Sequence, residues 1–290
     1  MGTVARYARP RSLDEALGLL AGSRWRVLAG GTDFYPALGA APLRDDVLDI
    51  TLLRDELAGI SEIDGHYVIG GLTRWADIVR AALPPAFDAL RQAGREVGSV
   101  QIQNRASIAG NLCNASPAAD GVPPLLALDA EVELRSQGCR RLVPLAAFIR
   151  GNRRTAISAD ELLTAIRVPK AAARGRSAFV KLGARRYLVI SIAMAAARIA
   201  VDGAGRVATA AVAVGACSPV ARRLLALERS LIGKPANESL GDIVEPHHLA
   251  ALSPIDDVRG TAAYRVEAAR EIVARALRAA AGGEAQEAAA

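Results

Sequence analysis

Two short segments concentrate the residue types that bind an anionic ligand. The first is Leu28-Ala29-Gly30-Gly31-Thr32-Asp33, which follows a short apolar run. Paired glycines let a backbone turn sharply and approach a ligand closely. Successive N–H groups in such a turn form a concavity for anions, and Thr32 adds a hydroxyl donor. The spacing matches neither a Walker loop nor a GxGxxG turn. The second segment is SIAGNLCNASPAAD, Ser107 to Asp120, dense in small and amide side chains. Ser107, Asn111, Asn114 and Ser116 can hydrogen-bond phosphate or ribose, and Asp120 can accept from ribose hydroxyls. From Ser107 to Asp120 there is no helical or alternating period, so the stretch reads as a long loop, which in a compact domain is usually functional. Taken singly, either segment also fits an ordinary turn or an Asx- and Pro-rich surface loop. Taken together, about 80 residues apart, they point to one nucleotide held between two halves of a domain. The residues alone do not name that nucleotide.

The elements around these segments are legible from periodicity and punctuation. Ser12-Leu-Asp-Glu15 reads as a capping box. Leu13, Ala16, Leu17 and Leu20 then fall on one helical face, with Gly22 as a stop. Trp25 to Ala29 and Val47 to Ile50 read as strands, and Gly59 to Gly71 as a hairpin turning at Asp64-Gly65. Helices are expected from Thr73 or Arg74 to Ala82, Pro85 to Gly94, and Pro124 to Leu128. Ala130 to Arg135 and Glu161 to Val168 read as strands. Lys170 to Arg176, polar and Gly-containing, is the linker candidate. Beyond it, Ala178–Leu182, Ser191–Val201 and Arg206–Ala216 read as strands, and Arg222–Ile232 and Tyr264–Ala281 as helices. The Gly-, Ala- and Glu-rich tail from Gly282 reads as frayed. Strands mixed with helices, without regular βαβ alternation, give an α+β class.

Composition bounds the function. The chain has 290 residues, 51% hydrophobic and 23% charged, which suits about two globular domains. Aromatics are only 4%, so the cores are built from Ala, Val, Leu and Ile. The longest apolar run, Tyr187 to Ala197, is far short of the roughly 20 residues a membrane helix needs. No signal peptide is evident, and a cytoplasmic protein is expected. The net charge of +6 is dispersed, and no basic run carries interleaved aromatics, so nucleic acid is not the expected partner. Cys113, Cys139 and Cys217 are unclustered and complete no iron–sulfur or zinc set. Cys113 reads as a small packed side chain or a reactive thiol, and His247-His248 as a solvated turn rather than a metal site. No catalytic triad or dyad is present.

One family resemblance joins these segments. The ordered set RPRSLDEALGLL, RVLAGGTDFYP, QIQNRASIAGNLCNASPAAD and DELLTAIRVP closely resembles the FAD-binding subunit of the molybdenum hydroxylases. That family includes xanthine dehydrogenases, aldehyde oxidases and aerobic carbon monoxide dehydrogenases. The resemblance continues through FVKLGARRYLVISIAMAAARIA and SPIDDVRGTAAYR and spans about Tyr7 to Leu277. It implies a two-subdomain FAD-binding fold of the vanillyl-alcohol-oxidase and carbon monoxide dehydrogenase flavoprotein type over residues 1–171, divided near residue 55. A small α+β domain with an antiparallel sheet is implied over 172–285. For FAD it implies contacts from Val27, Leu28, Ala29, Gly30, Gly31, Thr32, Asp33 and Phe34 in the first loop. Ser107, Ile108, Ala109, Gly110 and Asn111 are implied in the second. Val97, Asp120, Leu163, Lys181 and Tyr187 are implied around the rest of the cofactor.

The resemblance also implies partners and a role. A large subunit would carry the molybdenum cofactor, and a small subunit two [2Fe–2S] clusters. This chain would take electrons from those clusters and pass them to NAD+, quinone or oxygen, in a heterotrimeric assembly. It would hold no metal and no catalytic side chain of its own. The KLGARRYLVISIAM stretch resembles bacterial xanthine-dehydrogenase-type medium subunits. One departure stands out: the family usually has Gly-Gly after the Ile of the second loop, where this chain has Ala109-Gly110. At positive φ that methyl would cost about 1 kcal/mol or more, and at negative φ it would be tolerated. Two readings compete: a scaffold subunit that has lost FAD, and a stand-alone flavin oxidoreductase of related fold.

Overall fold

The computed structural model describes residues 5–40, 42–185 and 188–282; Tyr187 and the tail beyond Gly282 lie outside them. The chain is α+β, as expected. Strands β1 (Tyr7–Ala8), β2 (Arg26–Leu28) and β3 (Val47–Asp49) form a parallel sheet in the order β1-β3-β2. Ser12 caps the helix Leu13–Gly22, its Oγ accepting from the Glu15 N–H at 3.2 Å. The Glu15 carboxylate accepts from the Arg11 N–H at 2.7 Å, one residue ahead of where a capping box places it. Leu13, Ala16, Leu17 and Leu20 are buried, and pack with Leu48, Ile50 and Leu53.

Seven strands follow: β4 (Ile60–Ile63), β5 (His66–Gly70), β6 (Glu131–Ser136), β7 (Cys139–Pro144), β8 (Ile149–Gly151), β9 (Arg154–Thr155) and β10 (Leu162–Pro169). Five of them form an antiparallel sheet, β4-β5-β10-β6-β7, while β8 and β9 pair separately. Asp64 and Gly65, at φ 49° and 74°, make the expected tight turn. β10 is buried from Leu162 to Val168, as befits a central strand. Helices Trp75–Arg80, Asp88–Glu96 and Val122–Ala127 share its core, around Trp75, Phe87, Leu90 and Leu125.

The stretch Ser107 to Asp120 is not the loop its composition suggests. Its first half is the helix Ile108–Asn114, capped by Ser107, and a shorter helix, Val100–Gln103, capped by Ser99, precedes it. Each serine Oγ accepts a backbone N–H from its helix, which starts a turn that small residues would not start by propensity. Buried Ile108 and Leu112 then fix the second helix to the core.

The last sheet is antiparallel: β11 (Arg176–Leu182), β12 (Ala193–Val201), β13 (Val207–Gly215) and β14 (Arg222–Arg223), in chain order. Alternation along β12 faces its residues to two cores. Ala193, Ala195, Ala197 and Ile199 pack with the C-terminal helix Ala262–Ala280, through Ala269, Ile272 and Val273. Met194 and Ala196 pack with Ala89, Ala93 and Ala127 of the preceding helices. Alanine on both faces lets helices sit close to the sheet, which suits a chain poor in aromatics.

Arg222 and Arg223, read as the start of a helix, are strand, and the helix begins only at Leu225. Arg223 is held by ion pairs to Asp129 and Glu228, and it and Arg222 pair with β13. Residues 170–175, within the linker candidate, form a packed turn between β10 and β11. Ala172 and Ala173 are buried, and a side chain on Gly175 would meet the Ile199 carbonyl oxygen at 2.0 Å.

Arg265 is a fully buried charge in this half. It donates to the Ile192 carbonyl at 2.6 Å, the Ala216 carbonyl at 3.2 Å and the Asp257 carboxylate at 2.7 Å. The Arg259 N–H, followed by the Arg259 and Arg265 side chains, holds the Asp257 carboxyl down at about 2. A carboxyl with a lowered pKa stabilises the fold above its unfolded value near 4 and loses that contribution as pH falls toward 2. Asp257→Asn should therefore lower the melting temperature at pH 7. The gap to the parent should close between pH 4 and pH 2 in a thermal-melt series.

Candidate functional site

The first glycine loop meets the second segment by backbone contact. Strand β2 ends at Leu28, and the chain turns through Gly31 at φ 78°. A Cβ on Gly30 would lie 2.1 Å from the Arg105 carbonyl oxygen and 3.0 Å from the Ala106 Cα. No other residue type fits there. Among the described residues, no acceptor meets the N–H groups of Gly30, Gly31, Thr32 or Asp33. Four consecutive N–H groups are thus left for an acceptor from outside the described residues, as in backbone turns that bind anions.

The second segment works differently. The Ile108 N–H donates to the Thr73 carbonyl, and the Ala109 N–H to the Gly71 carbonyl. The Gly110 N–H donates to Ser107 Oγ. The backbone donors of Ile108, Ala109 and Gly110 are thus committed to the fold. What the segment offers a ligand is the Ser107 N–H, which meets no acceptor among the described residues, the Ser107 hydroxyl proton and the Asn111 amide, whose Oδ1 already accepts from the Gly121 N–H at 3.3 Å. Ala109 sits in the first turn of the helix and is not among the positive-φ residues. Its methyl is therefore unstrained, and the departure from Gly-Gly carries no backbone penalty.

Both loops line one cavity of about 860 Å³, within the range of small-molecule sites. Of the residues singled out from sequence, Val27, Ala29 to Phe34, Val97, Ser107, Ala109 to Asn111 and Leu163 line it. Leu28 and Ile108 do not. Strand alternation turns Leu28 inward from half-exposed Val27, and Ile108 is buried in the core. Cys113 is exposed and lines the cavity, so it is not a packed core thiol.

Asp120 and Lys181 stand beyond that lining, and they meet each other. Lys181 Nζ donates to Asp120 Oδ2 at 3.0 Å and to the Glu96 carbonyl at 3.4 Å, next to Val97. One ammonium thus ties together three elements that were singled out separately: the end of helix 88–96, Asp120 and β11. Burial raises the Asp120 carboxyl to about 6, against the opposing pull of Lys181 and Ser191.

Sequence reasoning missed Trp25, Arg26, Ile102, Ile157 and Ser158, which also line the cavity. Arg26 stacks on the Phe34 ring at 4.5 Å, a contact that only the folded turn creates. His247-His248 is not wholly solvated. His248 is buried, its Nδ1 accepting from the Glu245 N–H and its Nε2 meeting Ser230 Oγ. Among the described residues, no three His, Cys, Asp or Glu side chains gather to hold a metal. No helix among them is long and apolar enough to cross a membrane.

Comparison with known proteins shows the family. Residues 3–171 match the family model "FAD binding domain in molybdopterin dehydrogenase", and residues 178–280 match "CO dehydrogenase flavoprotein C-terminal domain". The chain belongs to the FAD-binding subunits of the molybdopterin dehydrogenases, a molybdenum hydroxylase family, and its cofactor is FAD. It is an oxidoreductase subunit of the carbon monoxide and xanthine dehydrogenase type. It is 31% identical to the glyceraldehyde dehydrogenase medium chain of Sulfolobus acidocaldarius, over 94% of this chain and 96% of that one. It is 29% identical to the xanthine dehydrogenase FAD-binding subunit of Escherichia coli O157:H7, over 97% and 99%. Among solved structures, a chain of reconstituted CO dehydrogenase from Oligotropha carboxidovorans superposes with a TM-score of 0.86. That pair shares 27% identity over 97% of this chain and 99% of the other.

The residues fit FAD on two grounds of their own. Four unpaired backbone donors suit a pyrophosphate, and the glycine cradle leaves the space that a side chain would fill. Gly30→Ala should weaken FAD binding at least tenfold, about 1.4 kcal/mol, in a flavin fluorescence titration. Ala109→Gly should change affinity less than threefold, because the position is helical. It should lower stability by about 1 kcal/mol in a denaturant titration.

Proposed function

We propose that this chain is the electron-transfer subunit of a xanthine-dehydrogenase-like molybdenum hydroxylase. It receives electrons from the [2Fe–2S] clusters of a small subunit and delivers them to NAD+, quinone or oxygen. Substrate is oxidised at the molybdenum cofactor of a large subunit. The observation that carries this reading is the single cavity walled by both loops and joined at Gly30. The domains assigned are 1–171 for FAD, in two subdomains meeting near residue 55, and 172–285 for the C-terminal part. Three free cysteines support a reducing cytoplasm.

FAD, when bound, supplies the exchange between one-electron carriers and a two-electron acceptor. The protein supplies binding, orientation and local charge. The N–H groups of Gly30 to Asp33 hold the pyrophosphate, with the Ser107 hydroxyl and the Asn111 amide beside them. Leu163, Ile102 and Val97 wall the cavity with apolar surface and keep water out. Lys181 holds a positive charge next to Val97, and Asp120 sets how much of it is neutralised. Tyr187 is assigned to the cover of the flavin. None of these side chains needs to gain or lose a proton during turnover.

The test is subunit omission. The complete assembly should reduce its acceptor when given substrate. The assembly lacking this chain should lose that activity more than a hundredfold, while its partners still reduce an artificial dye. Acceptor reduction that survives without this chain would contradict the proposal.

A further inference from the structure

The segment Asp120 to Asp129 is gripped at both ends by the C-terminal sheet. At its far end, Arg198 of β12 donates to the Ala127 carbonyl at 2.7 Å, and Arg223 of β14 to the Leu126 carbonyl at 2.9 Å. Both arginines also pair with Asp129, at 3.4 Å and 2.6 Å. These cations cap the carbonyl end of helix Val122–Ala127, where the helix dipole favours positive charge. At the near end stands the Asp120 carboxylate. Lys181, the penultimate residue of β11, takes Oδ2 at 3.0 Å. Ser191, two residues before β12, donates to Oδ1 at 3.3 Å.

Lys181 and Ser191 are the two stems of one hairpin connection. Lys181 pairs with Met194 across the sheet, and the Ile192 N–H closes on the Leu182 carbonyl at 2.8 Å. One carboxylate therefore receives both stems, one oxygen each. Ser191 is almost completely buried, and its hydroxyl has no other partner among the described residues. A buried hydroxyl aimed at one oxygen of a bidentate acceptor fixes which oxygen the other donor receives.

We infer that Ser191 is a positioning residue for the FAD site: it orients the Asp120 carboxylate and keeps it ionised against Lys181, and so sets the charge beside Val97. The inference rests on the functional reading above. Besides Lys181, the charged group facing Asp120 is Glu96, which opposes its ionisation. Without the Ser191 hydroxyl, burial gains on the carboxylate, Asp120 takes up a proton more readily, and the Lys181 charge is left less compensated. Uncompensated positive charge favours the negative charge that reduction adds to the cofactor. Removing the hydroxyl should thus make bound FAD easier to reduce.

The experiment measures the two-electron reduction potential of FAD bound to the full chain between pH 5.5 and 8.5. The proteins are the parent, Ser191→Ala, Ser191→Thr and Asp120→Asn; melting temperature and FAD affinity are recorded alongside. Ser191→Ala should keep its fold and bind FAD within about threefold of the parent. Its reduction equilibrium should rise three- to tenfold near pH 7, about 30 mV for a tenfold change. The gap should narrow toward pH 5.5, where Asp120 protonates in both. Ser191→Thr should restore the parent curve, and Asp120→Asn should raise the potential and abolish the effect of adding Ser191→Ala. A Ser191→Ala potential equal to the parent across the pH range would overturn the inference, as would a shift that Ser191→Thr fails to reverse. Failure of the parent itself to bind FAD would defeat the functional reading instead.

Discussion

The site depends on one backbone contact. Gly30 lies so close to Arg105 and Ala106 that any Cβ would overlap the Arg105 carbonyl. That approach joins the end of a short parallel sheet to the start of helix Ile108–Asn114. It turns two separate loops into opposite walls of one cavity. The division of labour follows. The first loop keeps its N–H groups free because it leads from a strand into a turn. The second spends its Ile108 and Ala109 N–H groups on Thr73 and Gly71, which lock it to the antiparallel sheet.

The C-terminal half completes the arrangement from the other side. Its sheet meets the helices of the first half through alanine faces, so the interface is close and specific. Ser177 strengthens it, accepting from the Ala89 N–H and donating to the Ala86 carbonyl. Across this junction Arg198, Arg223, Lys181 and Ser191 reach back to the segment from Asp120 to Asp129. The position of Asp120 is thus a property of both halves. A change in the C-terminal sheet can move Asp120 without touching the glycine loops.

Local signals were the legible ones. Ser12 and the Leu13, Ala16, Leu17, Leu20 face gave the first helix, and Asp64-Gly65 gave the hairpin, because each depends on residues a few positions apart. Gly30-Gly31 marked the close approach, although nothing in the sequence says what is approached. The helix at Ile108 escaped notice because Ser, Gly and Asn are poor helix formers. It is held by a serine cap and by carbonyls of residues some 35 positions earlier. Arg222-Arg223 reads as helix from its own residues because the strand is made by pairing with Ala213 and Val214 of β13, which local periodicity does not show. Asp120 is legible as an acidic residue in the second segment and Lys181 only through family resemblance; that they pair with each other is a fact of packing. Sites assembled from long-range contacts leave little periodic trace.

The central claim is that this cavity holds FAD in the chain as it stands, with Ala109 in the second loop. Its most direct test is the visible absorbance spectrum of the purified chain, with the released nucleotide identified and counted. The account predicts a flavin spectrum and one FAD per chain, either as purified or after incubation with the cofactor. A colourless protein that takes up no added FAD, while remaining folded, would contradict it.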